Sequence, residues 1–347
     1  MLAPPSLVVS QSQATRPVEA YVSQLAISSS DPNQAGFFYL SRPAYDEDSP
    51  DNTTVIFLGP RTNVPELSEA TGATGKILPL SPPAANSSFN VQFSGPYVQC
   101  KEANQTVADM IDLAASRSMG NNDIVLEVYN AYYAYVPDLS SPGRWGTPNT
   151  RMTDPSRSSN QLWMSFKQNG TGWDETLYPK CPLTAHRVCR LYDATYNLDI
   201  TFENGIMSAS FPQPTNLTEV EYPTMFVNSS IPSEQVKMSY SAYMWSLTEL
   251  VTGTMGLYVE NITQAGVTYN TNFTKIETNI DSTALLGSAD LDCFFGIDWM
   301  YHNAAWLPSS PQRARDIDFA RNETLDVLIP ELSANLTISL MANPLLA

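Results

Sequence analysis

The chain has 347 residues, 43% of them hydrophobic and only 15% charged, with a formal net charge of -17. That length can bury a sizeable core. The acidity opposes attraction to a phosphate backbone, so nucleic acid is not an expected partner, and no uninterrupted apolar run reaches bilayer-spanning length.

Met1-Leu2-Ala3-Pro4-Pro5 lacks the basic start and sustained apolar core of a signal peptide, so the chain reads as a fragment or a trimmed ectodomain. Leu7 to Val9 and Ala20 to Ile27 are short strand candidates. Gly36 to Leu40 and Thr54 to Leu58 are stronger ones, separated by an acidic turn-rich run, Asp46 to Asp51. That run reads as a solvated loop, because it lacks the glycine and terminal glutamate of a calcium-binding EF-hand loop. Phe89, Val91 and Phe93 alternate into a strand expected to end near Gly95-Pro96, with Cys100 just beyond. Residues 103–115 read as a helix with an imperfect apolar stripe. Asp123 to Val136 reads as strand, and its Tyr129, Tyr132, Tyr133 and Tyr135 pack a sheet face or, as the alternative, stack sugars in a lectin-like platform.

A long, proline-broken loop is expected near 137–159, and strand character resumes at Leu162 to Phe166. The adjacent Asp174 and Glu175 diverge in any regular structure and make a poor acid/base pair. From Tyr192 to Phe202 apolar and polar residues alternate, Asn204-Gly205 follows, and a return segment runs to Phe211. A two-residue type I′ turn would set Glu203 opposite Ile206 and Phe202 opposite Met207, with Asp199 and Glu203 on the solvated face. Residues 233–252 carry apolar residues at helical spacing, with Gly253 and Gly256 ending the helix. Asn270 to Thr283 is polar and without a clear pattern. Residues 323–332 read as a helix interrupted at Pro330, and the alternation of Leu336, Ile338 and Leu340 predicts a strand after it. The whole predicts one α+β domain over residues 1–347, predominantly antiparallel β-sheet with several packed helices.

Chemistry is sparse. There is no dinucleotide fingerprint, phosphate loop, HExxH or GxSxG, and no cofactor is expected. His186 and His302 are the imidazoles; His186 reads as a surface-loop residue, and Asp290, Asp292 and Asp298 near His302 meet no established metal spacing. Cys100, Cys181, Cys189 and Cys293 favour two disulfides, in any of three pairings. Acceptor sequons stand at Asn52, Asn86, Asn104, Asn169, Asn216, Asn228, Asn261, Asn272, Asn322 and Asn335, a spread that points to the secretory pathway.

Val188 to Tyr196, followed by Phe202-Glu203-Asn204-Gly205, resembles a recurring element in the extracellular domain of a group of uncharacterised ascomycete fungal polytopic membrane proteins. Leu2 to Val9 resembles the segment entering that domain after the family's first membrane helices. Ser94 to Cys100 is similar to its early cysteine element, and Asn335 to Leu340 to the element preceding its final membrane helix. The resemblance implies a glycosylated ectodomain, secreted or on the outer side of the plasma membrane, held through membrane segments absent from this chain. Its implied partners are a cell-wall glycan or a surface protein, with no catalytic residues to carry over. The alternative expectation is a secreted carbohydrate-active hydrolase.

Overall fold

A computed structural model describes residues 37–41, 54–118, 125–138, 158–168, 183–224, 227–264, 267–291, 318, 320–321 and 323–342. The α+β expectation holds: a large antiparallel sheet, a small one, and helices packed on them. The small sheet contains β1 (Phe38–Ser41), β2 (Thr54–Pro60) and β9 (Val227–Asn228). The large sheet has eight strands: β3 (Ser87–Glu102), β4 (Val125–Tyr135), β5 (Gln161–Gln168), β6 (Leu183–Glu203), β7 (Ile206–Ser210), β8 (Thr215–Glu219), β10 (Gly253–Gln264) and β11 (Val267–Thr278). Its main order is β11-β10-β4-β5-β6-β3, with β7 and β8 also pairing to β6. Four helices complete the frame: α1 (Asn63–Thr74), α2 (Gln105–Ser118), α3 (Pro232–Val251) and α4 (Leu325–Ser339).

The predicted hairpin is present in the predicted register, Glu203 opposite Ile206 and Phe202 opposite Met207. Asn204 and Gly205 both have positive φ, 54° and 81°, as a type I′ turn requires. Ala194, Tyr196, Leu198, Ile200 and Phe202 are buried while Asp199 and Glu203 are exposed. Strand β3 does not stop at Gly95-Pro96. It pairs with β6 from Ser87↔Phe202 to Glu102↔Arg187 without a shift. Pro96 is tolerated because β3 is an edge strand, where a missing N–H on the outer side breaks no ladder bond.

That outer edge is closed by α4. Val98 N–H donates to Ser333 Oγ at 2.8 Å, and Pro96 C=O accepts from Thr337 Oγ1 at 2.5 Å and from Tyr196 OH at 2.7 Å. Two residues beyond Thr337, Ser339 Oγ accepts the Leu78 N–H. Leu336, Ile338 and Leu340 are fully buried, and so are Ser333, Thr337 and Ser339. The strand predicted for these residues is therefore corrected to helix, continuous through Pro330. From Leu332 to Ser339 this helix is buried on all sides and shows no apolar stripe, and its polar residues are tolerated there because neighbouring segments supply partners for them. The span Leu325–Ala342 is long and apolar enough to cross a bilayer, but here 72% of it is buried inside the protein.

The sheet is covered on both faces. Tyr132, Met164, Cys189 and Leu191 face the core shared with α1, α3, α4 and the small sheet. Tyr133, Tyr135 and Trp163 face the other way, onto Ile111, Ala114 and Ala115 of α2. Helix α3 ends at Val251, and β10 starts two residues later at Gly253. There φ is +133°, and a Cβ would stand 2.0 Å from Glu277 O, so only glycine fits. The segment 270–283, patternless in sequence, contains most of β11.

Candidate functional site

Ionisable chemistry converges at the start of β6, where successive residues point to opposite faces of the sheet. His186 lies on the α2 side, and its Nε2 is 2.7 Å from Asp112 Oδ1. Arg187 lies on the core side, where its Nε donates to both carboxylate oxygens of Asp326, in the first turn of α4, at 2.7 Å. The guanidinium also sits 5.7 Å over the Phe166 ring. Two adjacent residues of one strand thus hold one helix on each face. His186 is a half-buried strand residue, not the surface-loop residue expected.

Asp290 completes the group on the core side. It is buried; Oδ1 accepts from Gln168 Nε2 at 3.0 Å and Oδ2 accepts the Leu325 N–H at 2.7 Å, one of the orphan amides at the start of α4. Burial pushes its carboxyl above the ordinary range, with the two hydrogen bonds and Arg187 acting against that shift. The rest of its predicted cluster, Asp292, Asp298 and His302, lies outside the described residues, and among the described residues no group of three metal-ligating side chains occurs.

Ser165 stands opposite His186. Leu191 N–H donates toward β5, to Asn160 O, and Ala103 N–H reaches His186 O from the β3 side. Backbone groups of odd residues here therefore face β5 and those of even residues face β3. Ser165 and His186 form a non-hydrogen-bonded pair, the kind in which side chains lie closest. A serine, an imidazole and a carboxylate in line are the parts of an acyl-transfer triad. Here the serine is mid-strand and 6% exposed, not raised on a sharp exposed turn. The carboxylates of the group serve as partners for His186, Arg187, Gln168 and the α4 amide, an arrangement suited to joining elements. Sequence reasoning missed Asp112, Ser165, Arg187 and Asp326, which only folding brings to the start of β6.

The tyrosine platform is overturned for the rings described. Tyr132, Tyr133 and Tyr135 are 0%, 0% and 2% exposed, and burial raises the Tyr132 and Tyr135 hydroxyls well above their ordinary value. The Tyr129 side chain is not among those described. A pocket of about 40 Å³ opens between α1 and α4, with the Arg321–Glu331 ion pair among its lining residues. It is far below the roughly 300–1,000 Å³ of small-molecule sites.

Cys100 and Cys189 form a disulfide across directly opposed residues of β3 and β6, Cα atoms 3.9 Å apart. Cys189 has odd parity, so this too is a non-hydrogen-bonded pair. Cys181 and Cys293 lie outside the described residues, as do the acidic run 46–51, Asp174, Glu175, the expected loop over 139–157 and the sequons Asn52, Asn169 and Asn322. Asn86, Asn104 and Asn216 are exposed and Asn228 is half-buried; Asn261 and Asn272 stand in β10 and β11. Asn335 is buried within α4, which contradicts the expected surface placement of its sequon. No known protein family, curated protein or solved structure matches this chain.

Proposed function

We propose that the protein is the glycosylated extracellular domain of a fungal surface membrane protein, related to the ascomycete group its motifs resemble. Its role is recognition or wall-facing structure, with a cell-wall glycan or a surface protein as partner. The observation that carries the reading is the Cys100–Cys189 disulfide within the longest strand pair. Disulfides persist where the compartment is oxidising, and the sequons and low charge agree with that compartment.

The test is expression in a eukaryotic secretory host. The secreted protein should lose mass on enzymatic glycan removal, and Cys100 and Cys189 should resist alkylation until reduced. Unchanged mass, or full alkylation of both cysteines in the native protein, would overturn the reading. Glycan arrays run beside a hydrolase substrate panel should show binding without turnover; turnover would move the assignment to a hydrolase.

A further inference from the structure

Three sequons differ in which atom of the asparagine amide the fold uses. At Asn86, just before β3, Oδ1 accepts the Asn204 N–H at 2.8 Å. At Asn104, just before α2, Oδ1 accepts the Val107 N–H at 3.0 Å, a helix N-cap. Both donors are backbone amides, so the atom facing them must be the amide oxygen. The structural work at these two exposed residues is done by oxygen, and the nitrogen that an N-linked glycan would occupy is not the atom spent.

Asn335 is the reverse. Its Nδ2 donates to Gly75 C=O at 2.8 Å, and a carbonyl partner can be met only by the amide nitrogen. The residue is 7% exposed, wedged between α4 and the left-handed cap of α1. A sugar on that nitrogen would need the space that α1 occupies.

We infer that Asn86 and Asn104 carry N-linked glycans and that Asn335, despite its intact sequon, carries none. This deepens the extracellular reading and rests on it. Residues Ser87–Glu102 form β3, so the two glycans would stand at opposite ends of one edge strand, roughly 50 Å apart at ~3.3 Å per residue. The edge between them is the one closed by Ser333 and Thr337 of α4.

The experiment is site-resolved mass spectrometry of the wild-type protein from a secretory host, with glycans removed enzymatically in heavy-oxygen water so that each former glycan site reads as labelled aspartate. Label at positions 86 and 104 and unlabelled asparagine at 335 is the expected result. Label at 335 in folded protein, or none at 86 and 104 while other sequons are labelled, would overturn the inference. No label anywhere would instead sink the extracellular reading beneath it. As a second readout, Asn86→Gln and Asn104→Gln should each remove one glycan from the secreted protein and Asn335→Gln none. Loss of a glycan in Asn335→Gln counts against the assignment.

Discussion

The two faces of the large sheet are covered by helices that obey different rules. Helix α2 lies on one face as an amphipathic rod: Ala108, Ile111, Ala114 and Ala115 are buried, and Asp109, Asp112 and Ser116 are exposed. Helix α4 lies on the other side of the sheet with Ser333, Asn335, Thr337 and Ser339 buried among its leucines, each bonded to a neighbouring segment. For α2 hydrophobic burial and the single Asp112–His186 contact place the helix, whereas α4 also needs each buried polar side chain to find a particular backbone group. Buried polar groups lose the most when a partner is missing, so the α4 face should be the less forgiving of the two.

Substitutions can break that contrast. Leu336→Ala in α4 should cost about 4 kcal/mol and Ile111→Ala in α2 about 3 kcal/mol in urea denaturation, since both side chains are fully buried. Losses of several kcal/mol are thus expected on both faces for apolar deletions, and the contrast lies in the polar ones. Ser333→Ala, which strands the Val98 amide, should cost about 2 kcal/mol. Ser116→Ala, on the exposed side of α2, should stay within about 0.5 kcal/mol. If the two serine variants were equally stable, the distinction between the faces would be wrong.

The strand residues that hold the helices sharpen the comparison further. Asp326→Ala leaves Arg187 without its bidentate partner and should cost about 2 kcal/mol. Asp112→Ala removes the partner of the half-buried His186, but the lost carboxylate is itself largely exposed, so the change should cost about 1 kcal/mol or less.

Asp290 adds a pH dependence confined to the core face. Burial raises its carboxyl above the ordinary 3.8, so between the unfolded and native values the folded state binds more protons than the unfolded chain. Stability at this site is therefore greatest below the unfolded value and falls as pH rises through the native one. Thermal melts across the weakly acid range should show that decline weakened in Asp290→Asn. The same slope in both proteins would assign the effect to another group.

Legibility in the sequence follows the same division. The β6–β7 hairpin could be read to the residue because one face of it is wet, so alternation and the Asn204-Gly205 turn both carry signal. Helix α2 was readable for the same reason. The first half of helix α4 was readable too, from Leu325, Leu328, Ile329 and Leu332, but the half from Leu332 to Ser339 was not, because it is enclosed on all sides and displays no period; its polar residues were ordered by Val98, Pro96, Gly75 and Leu78, up to 261 residues distant in the chain. Gly253 was recognised as a helix stop, but its second role, starting β10 against the Glu277 backbone, depends on contacts that no local pattern contains. Helix α1 went unread, being short and weakly amphipathic, with threonine and glycine buried where a core stripe would show leucine. The site suffered most: Asp112 and Asp326 reach adjacent strand residues from helices 74 and 139 positions away.

The closure of the β3 edge by α4 also sets an order of events during synthesis. Val98 leaves the ribosome 235 residues before Ser333. At about 5–20 residues per second, the strand waits on the order of 10–50 s for the hydroxyls that occupy its outer backbone groups. Throughout that interval β3 is an open template for another nascent chain, and the blunting devices already in place are a proline at its centre, with no amide to offer, and the exposed charges of Lys101 and Glu102 at its end.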